Sequence, residues 1–333
     1  MSLRQLSIQW KITLLAGLCL LGIVVLLVGL SLYRMDHTAD LVEASSTKML
    51  NESAQARIEA QGQAQALAIS RQFMDAYQYG NGFARQVLFL REQSEKRFLD
   101  AFDLREDLTR QVKAALQANP DLLGLSLVFE ANALDGKDQL FDHQQELGSN
   151  DKGRFALYWS QPAPGKLTSM ALPETDIADT STGPSGQANN SWFTCPRTTL
   201  QPCIIEPYFY KIDGQDVLLT SIVFPLMVNG KVIASLSVDI NLNSLQSMSL
   251  QASQKLYDGQ TSVSIVSSAG ILAGFSADAG KLGQRLDQVD VDDGTQLSQL
   301  MTSGGQPQSI HGHQRLKVLT PFMPIPGSKP WGV

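Results

Sequence analysis

The sequence predicts an α+β chain: one transmembrane helix, a long stalk helix and two stacked antiparallel-sheet modules. Three observations carry this. The uncharged apolar run ITLLAGLCLLGIVVLLVGLSLY fills 12–33. Ala, Gln, Glu, Arg and Leu dominate 36–119. Short strand-like segments separated by turn residues make up the rest. Helical runs followed by runs of strands mark a segregated α+β fold rather than an alternating α/β one.

At about 1.5 Å rise per residue, the apolar run spans a hydrocarbon core of roughly 30 Å. It is longer than a signal-peptide core and no small-residue cleavage site follows, so it reads as a retained transmembrane helix. Arg4 and Lys11 precede it, whereas Asp36, Asp40 and Glu43 outweigh Arg34 after it. The positive-inside rule puts residues 1–11 in the cytoplasm and everything after residue 34 outside.

Residues 36–119 read as helix, with SAQARIEAQGQAQALAISRQFMDAY the clearest stretch. Gly80 and Gly82 in QYGNGF mark an expected break or bend. The run LREDLTRQVKAALQANP stops at Asn119-Pro120, because a residue before proline is driven out of helical geometry. The apolar positions keep no strict heptad, which argues against a plain coiled-coil spacer.

Strands are expected at LLGLSLVFE (122–130), GRFALYW (153–159), EPYFYKI (206–212), DVLLTSIVFPLMV (216–228) and KVIASLSVDINL (231–242). Asn229-Gly230 joins the last two as a tight hairpin. The Pro/Gly/Ser/Thr-rich stretch 160–190 reads as a long functional loop over the sheet. LNSLQSMSLQASQKL is a helical connector to a smaller cluster, TSVSIVSSAGILAGF and RLKVLTPFMPI. The chain ends at PIPGSKPWGV without a terminator and reads as a fragment.

With 26 Lys+Arg against 32 Asp+Glu, the net charge of -6 disfavours a general nucleic-acid binder, which needs a basic face for phosphates. The cysteines are Cys19, Cys195 and Cys203, with no CxxC pair, so no structural zinc site is expected. Cys195 and Cys203 close a short loop outside the membrane, where an oxidising compartment favours a disulfide; two buried thiols are the competing reading. No GxSxG, HExxH, P-loop or Rossmann glycine pattern occurs, so no catalytic residue, cofactor or enzyme activity is expected. His37, His143, His311 and His313 are scattered, and His311-Gly-His313 lacks a third metal ligand.

SWFTCP followed by EPYFYKIDGQDVLLTSIVFPLMVNGKVIASLSVDINLNSL resembles the double-Cache (dCache) extracellular sensor domain of bacterial methyl-accepting chemotaxis proteins. The same domain tops some sensor kinases and cyclic-dinucleotide enzymes. The resemblance covers about residues 36–333. It implies two stacked PAS-like modules: a membrane-distal ligand-binding one at 120–245 and a membrane-proximal one at 246–333, the latter cut short. It also implies a periplasmic sensor on the bacterial inner membrane, a homodimer, and output to a chemotaxis kinase and coupling protein through a cytoplasmic part outside this chain.

Amino-acid-binding members place an Arg two residues before a Trp-aromatic pair to hold the ligand carboxylate. An Asp at the end of the VDI strand holds the ammonium, helped by tyrosines of the PY strand. Here the aromatic pair is Trp192-Phe193, the Asp is Asp239 and the PY tyrosine is Tyr208; two residues on, a position that is often Asp in the amino-acid binders holds Tyr210. The Arg position holds Asn190, which cannot supply a bidentate cation. A carboxylate among aromatics is left, which suits a cation through charge and cation–π attraction of about 0.5–2 kcal/mol. Together with GRFALYW, this resembles the subgroup sensing polyamines and biogenic amines. The expected ligand is a small amine such as putrescine, another polyamine or a histamine-like amine.

Each residue has a plainer role to set beside that one. Asp239 could cap the connector helix. Trp192 could be ordinary core. Tyr208 and Tyr210 share one strand face, core or pocket. Tyr158 and Trp159 point to opposite faces, so at most one lines the pocket directly. Glu174 and Asp176 are candidates for a second acceptor in a diamine site, although loop acids are usually solvated. Glu206 is a weaker candidate at a structural corner. Rival readings are an amino-acid sensor using Lys152 or Arg154, a sensor kinase or diguanylate cyclase with the same sensor, and an anchored adhesion module.

Overall fold

The computed structural model describes residues 8–163, 165–303, 307–311 and 316–333. Arg4 and His313 lie outside them, as do the side chains of Lys11, Asp36, His37, Asp40 and His311. The chain divides into two compact units, 1–57 and 58–333. Helix α1 spans Ile8–Arg97. In the first unit it contains Ile8–Met35, a stretch long and apolar enough to cross a membrane.

The second unit is built on a seven-stranded antiparallel sheet. Its strands are β1 (Gly124–Phe129), β2 (Ala156–Ala163), β3 (Lys166–Ala171), β4 (Cys203–Ile204), β5 (Tyr208–Ile212), β6 (Gln215–Val228) and β7 (Lys231–Asn241). The order is β3-β2-β1-β7-β6-β4, with β5 pairing β6. Asn229 and Gly230 both take positive φ, 50° and 78°, the twisted turn an Asn-Gly hairpin supplies between β6 and β7.

Strand alternation sorts the residues of β7. Ala234, Leu236, Val238 and Ile240 join the core beneath α1 and α2 (Ala101–Gln117), where Ile69, Phe73, Leu108 and Val112 are fully buried. Ser235, Ser237 and Asp239 take the opposite face. There a second core holds Tyr158, Trp192, Phe193, Ile205, Leu219 and Val223. Burial on both faces explains why β1 is apolar apart from Ser126.

Helix α5 (Leu242–Lys255) leads to a four-stranded sheet of β8 (Ser264–Val266), β9 (Leu272–Phe275), β12 (Pro321–Phe322) and β13 (Trp331–Gly332), ordered β12-β13-β8-β9. Beside it lie α6 (Leu286–Val289), α7 (Gly294–Ser303) and the β10 (Gln308–His311) with β11 (Leu316–Leu319) pair. The α1 residue Phe73 packs edge-on against Trp331 at 5.2 Å.

Two expectations are corrected. The helix does not break at Gly80 and Gly82; it runs on to Arg97, and Phe98–Asp100 form the corner. A Cβ at Gly80 would sit 2.3 Å from Phe224 and 2.7 Å from Val238, so this glycine lets helix and sheet approach closely. The stretch 160–190 is also more ordered than a loop. β2 continues to Ala163, β3 follows, and a short helix α3 (Glu174–Ala178) carries Glu174 and Asp176. SWFTCPRTT forms α4 (Ser191–Thr199), and Cys195 is disulfide-bonded to Cys203.

Candidate ligand-binding site

Antiparallel register builds the site. Asp239 lies opposite Gly124 of β1 on one side and Ser221 of β6 on the other, and Gly124 lies opposite Ser160 of β2. Ser160, Gly124, Asp239 and Ser221 therefore form one row across four strands. The adjacent row holds Tyr158, Ser126 and Ser237. This half of the sheet face is hydroxyl-rich, and both ends of it are bounded by tyrosines.

Asp239 is only 4% exposed. Its Oδ1 accepts from Ser221 Oγ at 2.8 Å and from Ser237 Oγ at 2.5 Å. Because the Ser221 proton is committed to Asp239, the Tyr208 hydroxyl must donate to Ser221 Oγ, 3.0 Å away. Tyr208 is half-buried overall, but its hydroxyl end is enclosed. The Tyr158 hydroxyl is buried beside Asp239 and has no partner at full hydrogen-bond geometry. Among the described residues Asp239 forms no ion pair, and no cation figures in its electrostatic surroundings.

Burial lifts the Asp239 carboxyl above the usual carboxylate range; the hydroxyls of Ser237, Ser221 and Tyr158 pull it part of the way back. The Tyr158 and Tyr208 phenols are pushed well above their ordinary value, first by burial and then by the Asp239 charge. Tyr210 is raised by burial and by Asp176. These phenols stay neutral, so each keeps a lone pair to offer.

The Tyr210 ring meets Tyr158 edge-on at 5.9 Å, and its hydroxyl donates to Asp176 Oδ2 at 3.2 Å. Tyr158, Tyr208, Tyr210, Asp176 and Asp239 thus form one connected cluster. Trp192 closes the same core and stacks at a tilt on Phe193.

Other candidates lie elsewhere. Trp159 faces the helices, under Lys113 Nζ at 5.1 Å, so it is not part of this cluster. Glu174 is taken by Arg154 at 2.8 Å and by the Asn150 amide at 3.0 Å. The same pair occupies Arg154. Asp239 does not cap α5; Asn241 does, accepting from Asn243 N at 2.8 Å. Glu206 is buried against Ser268.

Asn190 is 3% exposed, and its amide donates to Ile177 O at 2.9 Å. Its main-chain N–H donates to Asp179 O. The residue at the Arg position therefore fastens the turn that presents Asp176. Gly124, Ser221 and Ser237 were missed from the sequence. The alternation Ser235, Ser237, Asp239 was the available signal, a polar face inside an otherwise apolar strand.

Residues 108–247 match the family model described as the methyl-accepting chemotaxis protein-like first PDC sensor domain. Over this segment the chain is similar to chemoreceptor-type sensor domains. It contains every residue of the cluster. The whole chain is 59% identical over 333 residues to methyl-accepting chemotaxis protein TlpQ of Pseudomonas aeruginosa, covering 46% of that protein. The chain thus spans just under half the length of the curated relative it matches. Among solved structures, Methyl-accepting Chemotaxis protein X superposes with a TM-score of 0.58 at 20% identity, covering 84% of this chain and 96% of that one. The periplasmic sensory domain of the Campylobacter jejuni chemoreceptor Tlp1 gives 0.57 at 10% identity, covering 82% and 91%. At such identities these two show a shared fold.

Proposed function

We propose that the sensor domain binds a small cationic amine, such as putrescine, another polyamine or a histamine-like amine, on Asp239. The observation that carries this is a buried carboxylate with no cationic partner among the described residues. Burying an unpaired charge is costly, and such groups are normally paired or bound to a cation. An ammonium supplies the missing charge. Its N–H groups meet Asp239 Oδ2 and the Tyr158 hydroxyl, with the Tyr158, Tyr210 and Trp192 rings as aromatic walls. Asp176, half-buried and without an ion-pair partner among the described residues, is the acceptor for the second ammonium of a diamine.

The chain is the N-terminal part of a methyl-accepting chemotaxis receptor. Its Ile8–Met35 helix crosses the bacterial inner membrane with the N-terminus cytoplasmic and the sensor periplasmic. It works as a homodimer that controls a chemotaxis kinase through a coupling protein. Ligand shifts the receptor only by its differential affinity for the two signalling states. Against an amino-acid ligand stands the pairing of Arg154 with Glu174, which leaves that cation committed.

The test is a thermal-shift screen of the full chain in detergent with diamines, polyamines, histamine, choline and the amino acids. Ligand at a hundred times its Kd stabilises by about 2.7 kcal/mol. Stabilisation by amines supports the reading. Stabilisation by amino acids and not amines overturns it.

A further inference from the structure

Gly124 is the bare position in the row that carries the buried carboxylate. A Cβ built on it would lie 2.7 Å from Tyr158 Cε2, 2.7 Å from its Oη and 2.9 Å from Cζ. Such distances are far inside van der Waals contact, and all three atoms belong to the hydroxyl end of a single ring. Gly124 is not in the left-handed region, so the backbone would accept alanine. Glycine is needed here for room. The room is filled by the tip of the Tyr158 ring, which leans across β1 toward Asp239, directly opposite Gly124.

The consequence concerns the Tyr158 hydroxyl. It is buried, without a partner at full hydrogen-bond geometry, and held neutral beside the carboxylate. With its proton turned toward Asp239, the phenol oxygen keeps a lone pair open to a second donor. Its position is determined by the space at Gly124 on one side and the edge-on Tyr210 ring on the other.

We infer that Gly124 is a specificity-determining positioning residue: by leaving its place empty it seats the Tyr158 hydroxyl as a second acceptor beside Asp239, which selects ammonium groups bearing N–H over fully methylated ones. This rests on the amine reading above. A primary ammonium can donate to the carboxylate and the phenol together. A trimethylammonium has no N–H, gains nothing from the phenol and brings three methyl groups to the same place. A methyl at position 124 lifts the ring tip out of its seat and removes that acceptor.

The experiment is titration calorimetry of the full 333-residue chain in detergent, with putrescine and its mono-N-trimethyl analogue as probes. The variants are Gly124→Ala, Tyr158→Phe, Tyr158→Leu, Gly124→Ala/Tyr158→Leu and Asp239→Asn. A single carbon or a single hydrogen-bonding group in a binding site typically changes discrimination tenfold or more, so Gly124→Ala and Tyr158→Phe should each weaken putrescine by about tenfold and narrow its advantage over the trimethyl analogue. In the Tyr158→Leu background the ring is gone, and Gly124→Ala should then change putrescine affinity by less than about twofold, the non-additivity of a coupled pair.

If Gly124→Ala keeps putrescine affinity within twofold, or weakens it equally with and without the Tyr158 ring, the inference is overturned while Asp239→Asn still reports on the site. Where Gly124→Ala does not fold, the double variant decides. Folding and binding equal to Tyr158→Leu supports the seat; loss of either refutes it. Should the wild-type chain bind neither amine, the amine reading falls and this inference falls with it.

Discussion

Replacing Asp239 by Asn should make the unliganded protein more stable and the liganded protein less so. Asp239 is 4% exposed and carries its charge without a cation among the described residues. Burial raises its folded pKa above the unfolded value of 3.8. Each unit of such a rise is about 1.4 kcal/mol of destabilisation once the group is ionised. Asn keeps a carbonyl oxygen for Ser237 at 2.5 Å and Ser221 at 2.8 Å, so both hydroxyls stay satisfied. What it adds is a neutral amide with the Tyr158 hydroxyl as a nearby acceptor. The Asn variant should therefore melt above wild type in the absence of ligand.

The pH dependence has a definite sign. The folded pKa is raised, so wild-type Asp239 is destabilising above it and loses that penalty as pH falls through it toward 3.8. The advantage of Asn is therefore full at neutral pH and shrinks on acidification. Saturating amine reverses the ranking, because the wild-type chain gains about 2.7 kcal/mol at a hundred times Kd and the variant gains none. Thermal unfolding at several pH values, with and without putrescine, reads all of this. An Asn variant that melts below wild type at neutral pH without ligand, or a gap that widens on acidification, would refute the reasoning.

Further outcomes follow from the packing. Gly80→Ala should cost about 1–3 kcal/mol, because its methyl would meet Phe224 and Val238 at 2.3 and 2.7 Å. Gly82→Ala has nothing within 4 Å and should instead stabilise by about 0.5–1 kcal/mol through helix propensity; urea titration of both separates the two. Arg105 is fully buried and ion-paired to Asp135 at 2.7 Å and Asp138 at 2.8 Å, so Arg105→Leu leaves two carboxylates uncompensated and should cost about 3–5 kcal/mol by the same measurement.

The fold was legible where local chemistry decides it. The apolar run, the Asn-Gly hairpin and the strands of β5, β6 and β7 follow from composition and alternation. Gly80 was misread because its reason lies far along the chain, in Phe224 and Val238. β3 was hidden for a similar cause: KLTSMA is half-exposed and owes its strand state to pairing with β2. The site divides the same way. Asp239, Tyr158, Tyr208, Tyr210 and Asp176 could be named from the sequence. Which of Tyr158 and Trp159 reached Asp239 depended on the β1–β2 register. That Glu174 was already occupied depended on Arg154, twenty residues earlier and across a hairpin. Gly124 was invisible, since its contribution is the space it leaves for another strand's side chain.

The central claim is that Asp239 is the counter-charge for a bound ammonium. Titration calorimetry of putrescine into the full wild-type chain and into Asp239→Asn tests it most directly. The account predicts saturable binding to wild type and a loss of at least about a hundredfold in the variant, the order expected when one member of a desolvated charge pair is removed. Equal affinity in the two proteins, or binding of an amino acid where no amine binds, would contradict it.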